Sequence, residues 1–146
     1  MKMISSQFED NGFLPNKYSC DGEGVSPLLQ IIEIPKNAKA LALVISDPDA
    51  PSGEFVHWLL TDFKPTAEIL EGLMPKGAIR GSNSSGLLDY VPACPPSGSH
   101  RYVFTLYALS EMLGLREGFT KKEFEQKAGP KTLEKATLVG LYERTK

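Results

Sequence analysis

The sequence predicts a single, mainly antiparallel β domain with one or two helices at its periphery. Three observations carry this expectation. Residues 40–45 (ALALVI), 55–63 (FVHWLLTDF) and 102–109 (YVFTLYAL) are apolar stretches rich in branched and aromatic side chains. The first two are joined by a short segment dense in Pro and Gly, which makes them a hairpin or near-hairpin in one sheet. Only residues 120–128 carry both the start and the stop signals of a clear helix. The chain has 146 residues, a length that suits one domain with one core over residues 1–146.

Taken in order, residues 1–8 alternate weakly and read as an edge strand. Pro15 keeps residues 14–18 extended, and Cys20-Asp21-Gly22-Glu23-Gly24 has the chemistry of a turn. Ser26-Pro27 leads into a strand at residues 28–34, closed by Pro35, and Lys36-Asn37-Ala38-Lys39 is a polar turn. Residues 40–45 are apolar on both alternating faces, as a fully buried strand requires. Residues 67–72 are expected to form a helical turn, and residues 78–80 a short strand between glycines. Residues 87–99 read as loop. Thr120 is placed to cap the helix, Glu123 completes a capping box, and Gly129-Pro130 ends it. The chain closes with a strand at residues 136–142, after an optional short helix from Lys131.

Composition excludes several classes. Hydrophobic residues make up 41% and charged residues 23%, and the net charge is -2 with acids and bases interspersed. Nothing resembles the basic stripe of a nucleic-acid binder. No apolar run is long enough to span a bilayer, and the first ten residues lack the apolar segment of a secretory signal, so a cytoplasmic protein is expected. The spacing of Cys20 and Cys94, the only cysteines, is not that of a zinc site. In a reducing cytosol the expectation is two free buried thiols, with a bond between them as the alternative.

Two stretches carry the chemistry, and they hold the only two histidines. The first is Ser46-Asp47-Pro48-Asp49-Ala50-Pro51, followed by His57-Trp58. Two prolines in five residues stiffen this turn, fix Asp47 and Asp49 relative to each other, and favour a cis bond at Ala50-Pro51. On a regular strand His57 and Trp58 point to opposite faces, one toward a core and the other toward a cavity. The second stretch is Cys94-Pro95-Pro96-Ser97-Gly98-Ser99-His100-Arg101-Tyr102. His100 and Tyr102 share a face, whereas Arg101 points away, as a surface or ion-pair residue would. Each feature alone has an ordinary structural reading: aspartates that satisfy turn amides, histidines that are merely hydrogen-bonded. Together they describe one small pocket for an anion. Imidazole and phenol donors, with loop amides from Cys94 to Gly98, suit phosphate, sulfate or a carboxylate, and the two aspartates are expected to raise both histidine pKa values.

These motifs resemble the phosphatidylethanolamine-binding protein family, in its short bacterial and archaeal branch of Raf-kinase-inhibitor-like proteins. The resemblance covers nearly the whole chain. It rests on Tyr18-Ser19-Cys20-Asp21-Gly22 with Ser26-Pro27, on Asp47-Pro48-Asp49-Ala50-Pro51, on His57-Trp58, on Cys94-Pro95-Pro96 with Gly98, on His100-Arg101-Tyr102 and on Leu138-Val139-Gly140. It implies a sandwich of a large central antiparallel sheet and a smaller sheet. It implies an anion pocket for phosphate or a phospholipid head group, with Asp47, Asp49, His57, His100 and Tyr102 as pocket residues. Pro95 and Pro96 fall on the pocket loop, and Cys94 on a position whose amide can face the anion. The chain departs from the family where relatives carry glycines and it has Val91-Pro92-Ala93, which is expected to narrow the pocket mouth, and where Ser84 follows Asn83 in place of an aspartate. The longer C-terminal helix of eukaryotic members has no counterpart here.

The expected function is that of a non-catalytic binding protein that takes a small phosphorylated or anionic ligand and modulates a kinase or serine protease as an inhibitor. No cofactor and no metal are implied. The alternative is a metal-dependent or acid–base hydrolase built on the same Asp and His groups, with Cys94 as the one candidate nucleophile. A third reading is an interaction protein with a vestigial pocket.

Overall fold

The large sheet grows from the three apolar stretches. In the computed structural model, which describes residues 1–144, the strands are β1 (Lys2–Ile4), β2 (Gly12–Phe13), β3 (Leu29–Ile32), β4 (Ala40–Asp47), β5 (Phe55–Phe63), β6 (Glu68–Ile69), β7 (Ile79–Arg80), β8 (His100–Leu109) and β9 (Thr132–Tyr142), with one α-helix, α1 (Lys121–Ala128). Six of the strands form a sheet in the order β2-β9-β8-β4-β5-β7, antiparallel except for the short β2–β9 pair. The other three form a small antiparallel sheet in the order β1-β3-β6. The expected mainly β sandwich of a large and a smaller sheet is what forms.

Strand β4 is the axis of the molecule and is buried along its whole length. Leu41, Leu43 and Ile45 face the core between the two sheets, while Ala40, Ala42 and Val44 face a second core beneath α1. That two-sided burial is why the segment is apolar without alternation. The helix forms as expected. The Thr120 hydroxyl accepts from the Glu123 amide at 3.1 Å, and the Glu123 carboxylate accepts from the Thr120 amide at 3.0 Å. Burial of Phe124 against the sheet contributes about 2 to 3 kcal/mol, more than an eight-residue helix gains by itself. Gly140 on β9 leaves room for Leu14. A Cβ there would lie 2.5 Å from the Leu14 Cδ2.

Three expectations fail locally. Residues 14–18 are not extended throughout, because Asn16–Tyr18 make one 3-10 turn after Pro15. Residues 67–72 do not form a helical turn: β6 pairs with β3, Ile69 lying opposite Leu29, and Ile69 is buried between the sheets. The core claims this side chain more strongly than one isolated turn of helix can. The optional helix from Lys131 is likewise absent. A single 3-10 turn at Gly129–Lys131 leads directly into β9, which starts at Thr132 because the ten-residue β8 offers it a partner as far as Leu109.

Candidate anion pocket

One end of the large sheet gathers the polar motif residues. Asp47 ends β4, His57 lies near the start of β5, and His100 and Tyr102 lie at the start of β8. The placement of His57 depends on an irregularity. Ile45 pairs with Trp58 and Ser46 with Val56, so His57 is the extra residue of a β-bulge. Regular alternation would set His57 with Leu59 on the face toward α1. Instead its ring packs edge-on against Tyr102, 5.2 Å between centroids, and lies 4.8 Å from Phe55. Trp58 packs in the inter-sheet core and His57 lines a cavity, as expected, but the bulge rather than strand alternation sets them apart, since the core that takes Trp58 also holds Tyr102.

Around these groups lies a cavity of about 160 Å³, lined by Asp47, His57, Cys94, Pro95, Pro96, His100 and Tyr102 together with Ala50, Pro51, Phe55, Val91 and Pro92. Each histidine is held by one ring nitrogen. His57 Nδ1–H donates to the Val91 carbonyl at 2.6 Å, and His100 Nδ1–H donates to Asp47 Oδ2 at 2.6 Å. The other Asp47 oxygen accepts the Asp49 amide at 2.8 Å. Among the described residues neither Nε2 has a partner, and neither is sealed from solvent, since the only buried side-chain polar atom there without a partner is Trp58 Nε1. Protonation turns each Nε2 into a donor with nothing among the described residues to receive it.

The electrostatics differ from expectation at His57. Burial pushes its imidazole below the ordinary value, against the Val91 carbonyl and the Asp47 charge, which act to raise it. Desolvation disfavours imidazolium here more than a nearby carboxylate favours it. Burial, assisted by the charge on Asp47, drives the Tyr102 phenol upward, while the Cys94 amide facing its hydroxyl opposes the shift, so the phenol stays neutral.

Seven of the eight expected pocket residues meet at this cavity, and Asp49 does not. Its carboxylate is engaged by Arg101, with bonds of 2.9 Å from the amide, 2.9 Å from Nε and 2.7 Å from Nη2. That guanidinium lowers the Asp49 carboxyl to about 2. The reason is the strand period that sends Arg101 away from His100: it leads Asp49 to the outside of the turn. Loop amides from Cys94 to Gly98 contribute less than expected. Pro95 and Pro96 have no N–H, the Cys94 amide faces Tyr102, and Ser97 and Gly98 lie outside the lining. Ala50-Pro51 is trans, as is every peptide bond among the described residues.

The cysteines are also corrected. Cys20 and Cys94 are joined in a disulfide, and both are exposed rather than buried thiols. Compartment arguments set a prior on oxidation state, but pairing follows proximity, and the parallel bridge Ser19–Ala93 with the bond from the Cys20 amide to the Ala93 carbonyl brings the two together. Sequence reasoning missed Phe55, which had a signal, since it stands two residues before His57. Val91 and Pro92 line the cavity, at whose mouth the sequence had placed them. That the Val91 carbonyl anchors His57 had no signal, because Val91 does so through its backbone.

The fold and pocket define a class: a two-sheet sandwich with a small His- and Asp-lined cavity at one end of its central strands. The phosphatidylethanolamine-binding protein profile matches residues 4–143, and the chain belongs to that family. It is 42% identical over 150 residues to a UPF0098 protein of Methanothermobacter thermautotrophicus, covering 99% of both chains. It is 40% identical to a UPF0098 protein of Pyrococcus abyssi, covering 99% of this chain and 86% of the relative. Among solved structures, a phosphatidylethanolamine-binding protein homolog from Chlamydia trachomatis superimposes with a TM-score of 0.95 at 35% identity, over 99% of this chain and 97% of the other. Escherichia coli YbcL, described as a member of the mammalian PEBP family, shares the fold with a TM-score of 0.90 at 22% identity, over 99% and 98% of the two chains.

Proposed function

We propose that this chain is a non-catalytic binding protein whose pocket takes the phosphate group of a free phosphate, a phosphorylated metabolite or a phospholipid head group. One observation carries the reading: two histidines converge on one cavity, each anchored through Nδ1 with Nε2 left without a partner among the described residues. A phosphate oxygen accepts from both once they are protonated, and Tyr102 and the proline loop limit the space to one small group. The intact Cys20–Cys94 bond supports binding over hydrolysis, because it occupies the one thiol that could have served as nucleophile. Among the described residues no three His, Cys, Asp or Glu side chains converge as a metal site would need. Inhibition of a kinase or serine protease belongs to the same proposal as a consequence of ligand-dependent partner binding.

Cytoplasmic residence is also part of it, and is tested by cell fractionation. Among the described residues no helix is long and apolar enough to cross a membrane. A reducing compartment disfavours the Cys20–Cys94 bond, so recovery of the oxidised protein outside the cytoplasmic fraction would overturn this part of the proposal.

The test of the pocket is an NMR titration of the His57 and His100 ring signals with phosphate and with phosphoethanolamine, at a pH near the histidine reference value of about 6.5. Saturable shifts in both rings, lost in the His57→Ala, His100→Ala double variant, are expected. Rings that do not respond would overturn the reading, and turnover of a phosphate ester lost in the same variant would move it to the hydrolase.

A further inference from the structure

The Cys20–Cys94 disulfide lies beside the pocket, and its two ends are held very differently. On the Cys20 side the chain is firmly tied. Ser19 bonds to the Asn16 carbonyl through both its amide and its hydroxyl, and the Cys20 amide bonds to the Ala93 carbonyl. Asp21 accepts from the Tyr142 hydroxyl at 2.6 Å and from Arg144. On the other side the ties stop at Ala93. Up to that point the loop is fixed by the Tyr90 hydroxyl on the Tyr18 carbonyl and by mutual bonds between Val91 and His57.

Among the described residues, the only polar contact from Cys94 to Ser99 with the body of the protein is the Cys94 amide facing Tyr102. Pro95 and Pro96 have no N–H to give, Gly98 sits at φ +69°, and only Pro95 in this arm is buried. Yet Cys94, Pro95 and Pro96 form one wall of the cavity. Beyond the backbone itself, the disulfide is therefore the covalent tie that holds this wall to the Cys20 turn, and both of its cysteines are open to solvent.

We infer that the Cys20–Cys94 bond is a redox-operated latch on the pocket: oxidised, it holds the 94–96 wall in place for the anion, and reduced, it releases the arm and weakens binding. The inference rests on the anion-binding reading of that pocket. The reaction is thiol–disulfide exchange with a dithiol reductant. One thiolate attacks a cystine sulfur, the protein S–S bond breaks, and a mixed disulfide forms. The second thiol of the reductant then displaces the other protein sulfur. Two electrons pass to the cystine, two protons end on Cys20 and Cys94, and the reductant leaves as its own disulfide. Release acts on the arm rather than on the turn at Cys20, because the turn keeps its bonds to Asn16, Ala93 and Tyr142. Ordering the freed arm again on binding costs backbone entropy, which weakens affinity.

The experiment measures inorganic phosphate binding by the His57 and His100 ring signals in three samples: oxidised protein, protein reduced with dithiothreitol, and Cys20→Ser, which breaks the bond without altering a pocket residue. The Trp58 indole signal and amide exchange in the central strands report whether the fold persists. The expected result is a dissociation constant raised about tenfold in the reduced and Cys20→Ser samples, equivalent to about 1.4 kcal/mol, with the fold intact and affinity restored by reoxidation of the wild type. Equal affinity in folded oxidised and reduced protein overturns the latch and leaves the pocket reading standing. Global unfolding on reduction also overturns it, since the bond is then a structural staple. Absence of phosphate binding in the oxidised protein overturns both readings together. If Cys20→Ser does not fold, reduction of the folded wild type decides the question alone.

Discussion

Strand β5 carries two bulges against β4, and each turns a polar side chain into the interior. At the first, His57 is the extra residue between the Ser46–Val56 and Ile45–Trp58 pairs. At the second, Leu41 pairs with Phe63 and Leu43 with Leu60, and Asp62 sits at φ +60°. His57 and Asp62 are equally buried, at 5% and 8% exposure. They differ in what is left over. Both carboxylate oxygens of Asp62 are used: Oδ1 accepts from the Leu113 amide at 2.8 Å and from the Thr61 hydroxyl at 3.1 Å, and Oδ2 accepts from the Gly114 amide at 2.9 Å. His57 spends one nitrogen on Val91 and presents the other to a cavity. A buried polar group at a bulge is therefore not a site in itself. The unspent hydrogen-bonding capacity marks the candidate.

The largest expected effect breaks the satisfied bulge. Asp62→Ala leaves two loop amides without an acceptor and places alanine at a left-handed backbone position, so it should lower stability by about 3 to 5 kcal/mol. A thermal melt would show it as a fall of roughly 10 °C. Phosphate affinity of the fraction still folded should not change, and a binding defect would show that the two ends of the sheet are coupled.

Asp47→Ala acts at the other end. It frees His100 to rotate and removes the acceptor of the Asp49 amide. Phosphate affinity is expected to fall about tenfold or more, as a mis-set donor implies. The loss of stability should stay near about 1 to 2 kcal/mol. Titration and melting of the same variant separate the two. Unfolding without a distinct binding loss would make Asp47 structural, as Asp62 is.

A pH series sharpens the contrast at His57. Its pKa is depressed in the folded protein, so between that value and about 6.5 the unfolded chain binds the extra proton. In the absence of anion, stability should therefore decline as pH falls through this window. A bound phosphate reverses the preference by favouring imidazolium, so phosphate affinity should rise over the same interval. Melts with and without phosphate at a series of pH values would show the stabilisation by phosphate growing as the pH drops. A stabilisation that does not depend on pH would place the anion away from His57.

The smallest effect is expected at Asp49→Ala. It removes a pair with the exposed Arg101, and solvent screens such pairs so strongly that little stability is lost with them. That contribution is present above the ordinary carboxylate range and disappears as pH falls toward about 2. Phosphate affinity should be unchanged. A loss comparable to that of Asp47→Ala would return Asp49 to the pocket.

Much of this was legible in residues alone. Asp47, His57, His100 and Tyr102 were readable as one site because proline-rich turns flank buried strands in both motifs, and the strand period put His100 and Tyr102 on one side. Asp49 lies outside the cavity lining, which the motif could not show, since it names both aspartates and does not say which one faces inward. Val91 was placed at the pocket mouth, but its carbonyl as the anchor of His57 could not be foreseen, because a carbonyl oxygen is the same in every residue.

What the sequence determined by itself is what acts over a few neighbouring residues: the apolar runs of β4, β5 and β8, the Thr120–Glu123 capping box, the Pro-rich turns, and the motifs that mark the family. What only the tertiary structure decided joins distant parts of the chain. His100 finds Asp47 across 53 residues, and Cys20 finds Cys94 across 74. The bulge that turns His57 inward exists only once β5 is in register with β4, and β6 is a strand only because β3 and the core hold it. Local preferences of a few tenths to one kcal/mol set the elements. Burial and pairing terms, larger and available only after the sheets meet, set which polar atoms are spent and which stay open.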